Sequence, residues 1–148
     1  MFHPFTYDEQ HRTYLARFSG TLTPQDMAAF DVAVHACRAL HGLTEAVVDF
    51  SDVASVDVTT EQFIARAKQP QIMTGQKRAL VANGMLFGMM RLYGTYQSMA
   101  GLEPMIVHSL AEAYEALGLP AGDFHPVALH APAAVSSLGL ESDAPASL

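Results

Sequence analysis

The stretch that most constrains the fold is Ala46–Thr60, AVVDFSDVASVDVTT. Its opening run, Ala46-Val47-Val48, is apolar and β-branched, which suits a strand buried on both faces. The run closes on Asp49 and Phe50, and a polar loop follows. Thr59 and Gln62 then have the spacing of a capping box that opens a helix. A buried strand that hands over to a helix is the repeating unit of an α/β sheet, whose ligands and partners gather at the carboxyl ends of the strands. The expected functional face is therefore the loop after this strand.

The same alternation runs along the rest of the chain. Phe5-Thr6-Tyr7 and Tyr14–Phe18 flank the polar turn Asp8–Arg12 and predict an opening β-hairpin, broken after its second strand by Ser19-Gly20. Thr23-Pro24-Gln25-Asp26 starts a helix whose apolar stripe is Met27, Phe30, Val34, Cys37 and Leu40, ended by Gly42. A second helix carries Phe63, Ile64 and Ala67, with Pro70 interrupting it and Gly75 closing the segment. Arg78–Ala82 and Met105–Val107 read as short strands around a third helix, Met85–Ala100, and Ser109–Gly118 frames a last one. The order predicts an α/β domain over residues 1–119, with a mixed, largely parallel sheet of about five strands and four helices. Residues 120–148, rich in Ala, Pro and Ser, read as a C-terminal tail, partly disordered or docked on the domain through Phe124, Val127 and Leu129.

The third helix departs furthest from an ordinary amphipathic pattern. Met85, Met89, Leu92, Tyr96 and Met99 form one broad face, widened by Leu86, Phe87, Met90 and Tyr93, and Arg91 is the one charge between Gly84 and Gly101. Methionine fills irregular core gaps and also lines adaptable binding surfaces. Charged residues make up only 16% of the chain, so apolar surface left over for a partner or ligand is in keeping with the composition.

Several function classes are excluded or disfavoured. A net charge of −7 without a Lys/Arg cluster argues against nucleic acid. No run reaches the apolar length of a membrane span, and MFHPFTYDEQ lacks the basic start and apolar core of a signal peptide, so a cytoplasmic protein without membrane insertion is expected. The single cysteine, Cys37, precludes an internal disulfide and falls on an apolar stripe. Asp49, Asp52 and Asp57 cluster around the loop but match no metal-binding spacing. Seven histidines, His108 among them, are scattered without ligand spacing, and no G-x-S-x-G elbow exists. No catalytic residue, metal site or cofactor is assigned.

The hairpin, the F-S-G-x-L-T-P-x-D run (Phe18–Asp26), the V-V-D-F-S-D-V run (Val47–Val53) and Phe87-Gly88 together resemble the STAS-like (SpoIIAA-like) bacterial domains. These are related to anti-sigma-factor antagonists and to the cytoplasmic domains of sulfate transporters. The resemblance spans about Phe5 to Leu119. It implies a non-enzymatic module that acts by protein–protein contact or by holding a small apolar or acidic ligand. In the antagonists a serine at a helix N-terminus is phosphorylated. The matching stretch here is Asp57-Val58-Thr59-Thr60, with Thr59 at the acceptor position and Val58 and Thr60 in place of serine and glycine. Read from the residues alone, Thr59 is a helix cap.

Two functions follow as expectations. One is a regulatory module binding a protein partner, or a second copy as a homodimer, through Ser51, Asp52, Asp57, Thr59 and Thr60 together with Met85, Phe87, Met89, Met90 and Tyr93. The other is a carrier or sensor of a small amphiphile such as a fatty acid, held between the second and third helices.

Overall fold

The computed structural model describes residues 1–68, 77–99, 104–120 and 124–126. Within them the chain runs β1 (Thr6–Asp8), β2 (Thr13–Leu22), α1 (Pro24–His41), β3 (Glu45–Val56), α2 (Thr60–Ala67), β4 (Arg78–Val81), α3 (Gly84–Met99), β5 (Met105–Val107), α4 (Leu110–Leu117) and β6 (His125–Pro126). The strands form one mixed sheet, ordered β5-β4-β3-β2-β1-β6. β2 through β5 pair in parallel, while β1 is antiparallel to both β2 and β6. The α/β class, the four helices and the opening hairpin are those expected. The sixth strand comes from beyond Leu119, where Phe124 also stacks on Tyr114 with ring centroids 5.9 Å apart. Val127 and Leu129 lie outside the described residues, as do Pro70, Gly75 and Ala100.

The two sheet faces differ in their cover. Tyr14, Ala16, Phe18, Ala46, Val48, Phe50 and Leu80 share one buried cluster with Val34 and Cys37 of α1, Phe63 and Ala67 of α2, and Leu86, Met90 and Tyr93 of α3. Leu15, Val47, Ala79 and Val81 alternate with these and pack with Ala113 and Leu117 of α4. Three helices thus cover one face, and α4 covers the other.

Both ends of α1 are tied to the hairpin side of the sheet. Thr23 and Asp26 form the capping box at its start. The Asp26 carboxylate also accepts the Phe2 N–H at 2.9 Å and lies 3.4 Å from the N-terminal ammonium. At the other end Gly42, at φ 73°, donates to the Arg38 carbonyl, and the Arg12 guanidinium donates to the carbonyls of His41 and Leu43. These bonds satisfy carbonyls that a helix terminus leaves unpaired.

Four expectations need correction. Ser19-Gly20 does not end β2, and the polar stretch after Phe50 is not a loop. The two strands continue side by side, pairing Ser19 with Asp52, Gly20 with Val53, Thr21 with Ser55 and Leu22 with Val56. Register shifts fall between Arg17 and Ser19 and between Gly20 and Thr21, and Gly20 takes φ 66° there. Ser51, Asp52, Ala54 and Ser55 are exposed, so this half of the ribbon carries loop-like residues on a strand backbone. On α3 the inward side is Leu86, Met90, Tyr93 and Gln97, whereas Met85 is 73% exposed and Leu92 is exposed too. The apolar composition all round that helix hid which stripe faces in. Leu40, placed on the stripe of α1, is exposed, and in that last turn it is His41 that packs inward, stacked on Tyr7 with ring centroids 4.0 Å apart.

An alanine at Gly20 meets no atom within 4 Å, so its penalty is conformational. Gly20→Ala should lower stability by about 1 kcal/mol, seen as a reduced urea midpoint with an unchanged m-value. Burial pushes the Asp26 carboxyl up, but bonds from the Thr23 N–H and hydroxyl, the Phe2 N–H and the nearby ammonium outweigh it and hold it below the usual range. A carboxyl depressed by folding adds stability above its unfolded value and loses it as pH falls through the folded one. Asp26→Asn should therefore flatten the fall in Tm on acidification below about pH 4, followed by thermal melts stepped into the acid range.

Candidate functional site

A cavity of about 400 Å³ lies between the three-helix face of the sheet and α1, α2 and α3. Its floor is built by the strand register. Tyr14, Ala46 and Arg78 form one row across β2, β3 and β4, and Ala16, Val48 and Leu80 form the next. Phe18 and Phe50 follow, stacked with centroids 5.0 Å apart and planes at 9°. Ala46, which lines the floor, and Ala16, next to it in β2, are alanines with no accessible surface. Small residues there leave space beneath α1 that a leucine or valine would fill.

The roof comes from Met27, Phe30 and Val34 of α1, Phe63 of α2, and Met90 and Tyr93 of α3. It is apolar except for a joint between helices. Arg66 of α2 reaches Asp31 of α1 through both terminal nitrogens, at 2.8 and 2.5 Å, and lies 5.7 Å from the Phe30 ring centroid. Burial alone would push the Arg66 guanidinium down. The hydrogen bond and charge of Asp31, helped by the Tyr93 hydroxyl, hold it above its ordinary value. His35, one turn after Asp31, is exposed and marks the rim.

Deeper in, Arg78 is only 8% exposed although it opens a strand. Its guanidinium donates to the Gln97 side-chain oxygen at 3.2 Å, and the Gln97 amide donates to the Ala67 carbonyl. Gln97 is fully buried, so this chain of bonds links β4, α3 and the end of α2 beneath the cavity. Tyr14 stacks on Phe5 with centroids 4.5 Å apart, and burial raises its phenol far above the ordinary range, with Arg78 close enough to pull the other way. The Tyr14 hydroxyl therefore stays protonated. One acid and two arginines line the cavity, which gives its wall a formal excess of one positive charge with His35 neutral.

The residues expected at the functional face are divided by the structure. Met90 and Tyr93 line the cavity, while Met89 and Phe87 pack against the edge of the core. Phe87 also stacks on His108 at 4.0 Å. Met85, Ser51, Asp52, Asp57, Thr59 and Thr60 are all exposed and are not among the cavity-lining residues. Thr59 forms a capping box with Gln62, accepting its N–H at 3.1 Å. Asp49 is buried on the α4 side, where it accepts from the Ser51 N–H and hydroxyl and lies 3.8 Å from Arg17. Its oxygens are thus engaged by Ser51 and Arg17, and the His108 ring stacks elsewhere. No group of three or more metal-ligating side chains occurs among the described residues. No helix among them is long and apolar enough to cross a membrane.

Sequence reasoning missed Asp31, His35, Arg66, Arg78 and Gln97. Arg78 left a readable trace: period two from the core residue Leu80 turns it inward. Asp31 and His35, four apart on α1, flank the apolar stripe on the side where a helix meets its neighbour. In comparisons with known proteins, the chain matches no family model and no curated protein.

Asp31→Asn should loosen α1 from α2. Because Asp31 is 42% exposed, the expected loss is about 1 kcal/mol, readable as a lower Tm by circular dichroism with the native spectrum retained.

Proposed function

We propose that this chain is a non-catalytic, STAS-like module of the cytoplasm that works by holding a small amphiphile between its sheet and helices α1–α3. The observation that carries this reading is the cavity: about 400 Å³, walled mainly by aromatic and aliphatic side chains, with a few polar groups at fixed points. Ligand sites have this make-up and this range of volume. Ala46 in the floor contributes only a methyl group where a larger side chain would fill the space, and the Arg66–Asp31 pair joins α1 to α2 at the wall.

The amphiphile reading gains over a protein-docking module because the methionine-rich helix turns Leu86, Met90 and Tyr93 inward. Met85 and Leu92 remain outward on α3, and the Ser51–Thr60 face is polar. A carrier and a sensor share binding as their first step and diverge only after it, in delivering the ligand or in reporting it.

Native mass spectrometry after addition of a single-chain amphiphile should show a one-to-one adduct on the monomer mass. Val48→Phe puts a ring into the middle of the floor and should abolish the adduct while leaving the far-ultraviolet spectrum unchanged. Equal uptake by the wild type and the filled variant would remove the cavity as the binding site. A dimer mass with no adduct would return the protein to the docking-module reading.

A further inference from the structure

We propose that the amphiphile enters chain first through a mouth between α1 and α2 and leaves its head group there in water. The site then selects the chain and not the head. This rests on the reading of the cavity as a ligand site and adds to it the place of entry, the orientation and the ligand class. That class is a molecule with one polar end and an apolar chain of up to about twelve carbons.

Burial locates the mouth. Among the lining residues, those that reach solvent are Met27, Phe30, Asp31 and His35 of α1 and Arg66 of α2. Every lining residue of the strands and of α3 is buried, as are Val34 and Phe63. The cavity therefore meets water between α1 and α2. Asp31, His35 and Arg66 make the edge of that opening polar, in contrast to what lies behind it.

The interior has no place for a head group, because its polar side chains are already engaged with the protein itself. Arg66 spans both carboxylate oxygens of Asp31 and faces the Tyr93 hydroxyl. Arg78 donates to Gln97, whose own amide donates to the Ala67 carbonyl. Arg78 and Tyr14 hold further interactions within the protein as well. A head group carried inward would give up its water and compete with these bonds, and a buried polar group without a partner is costly. Left at the mouth, the same group stays hydrated. There Asp31 and Arg66 offset each other's charge, so neither an anionic nor a cationic head is favoured. The chain meets the opposite conditions. Phe18, Val48, Phe50 and Leu80 below it and Phe63 and Met90 above it are all buried apolar side chains, and moving methylenes from water onto such surface is favourable. At roughly 30 Å³ per water-sized group, the cavity of about 400 Å³ holds about thirteen such groups, which sets the limit on the chain.

Isothermal titration of the full chain with decan-1-ol, decanoate, decylamine and the α,ω-diol of the same length tests the selection. The three single-headed ligands should bind within about fivefold of one another, the range of an exposed charge pair. The diol must bury a second hydroxyl and should bind at least about fivefold more weakly than decan-1-ol. Affinity should rise about fourfold per methylene from octanoate to dodecanoate and gain nothing at tetradecanoate. The chain contains no tryptophan, so His35→Trp at an exposed position sets a single fluorophore at the mouth. Bromine quenches it by contact, and α-bromodecanoate should quench it more strongly than ω-bromodecanoate. If no ligand binds the wild type, the cavity reading itself falls. If the diol matches decan-1-ol, or the three heads differ by more than that fivefold range, the cavity stands and the exclusion of the head group is overturned. Quenching by ω-bromodecanoate that equals or exceeds that by α-bromodecanoate overturns the orientation, and a continued gain beyond dodecanoate overturns the chain limit.

Discussion

The hand of the βαβ crossover is the constraint on which the rest of this molecule depends. β2, β3, β4 and β5 lie side by side in chain order, and all three connections between them carry a helix. A right-handed crossover repeated in one direction puts every such helix on the same face. α1, α2 and α3 must therefore share that face, and α4, which connects no parallel pair, is left for the other. A sheet loaded on one side needs a deep layer of side chains there. Phe5, Tyr14, Phe18 and Phe50 supply it at the edges, and alanine replaces it in the middle. The cavity is a product of that layout and requires no distortion of any element.

Charge inside such a layer is tolerated only when its partners are fixed. Arg66 reaches across to another helix and finds a carboxylate. Arg78 rises from the sheet and is steadied by an amide whose own donor is anchored on a backbone carbonyl. Both arginines are thereby held in one orientation, at a depth where a hydrogen bond is stronger than in water. The two arrangements differ in kind. The first joins two helices through opposite charges, whereas the second joins a strand to a helix through a side-chain amide.

Element order, the caps at Thr23, Thr59 and Ser109 and the core strand at Ala46–Phe50 could all be read from the residues, because each rests on chemistry local to a few positions. The cavity could not, since it arises from the register of three strands against three helices. Ala16 and Ala46 look like ordinary strand residues until Tyr14 and Arg78 are seen beside them. The surroundings of the strand's carboxyl end were hidden for a related reason. Asp49, Asp52 and Asp57 drew the eye as acids in sequence, but alternation sends Asp49 to the opposite face and the long ladder leaves Asp52 on exposed ribbon. The third helix misled by excess, being apolar on nearly every side, so that only Gln97, a polar residue with no accessible surface, reports the true inner stripe once the packing is known.

The long ribbon of β2 and β3 has a consequence for how this protein avoids its own copies. β4 pairs with β3 only over Ala46–Asp49, so among the described residues the outer edge of β3 from Ser51 to Val56 carries backbone groups with no neighbouring strand. Such an edge is a template for intermolecular strand addition, the first step toward aggregation. The register shifts in β2 and the positive φ of Gly20 add twist at that point, and Asp52 sets a charge on it. The glycine that looked like a strand breaker thus helps keep the ribbon from presenting a flat edge to a second copy.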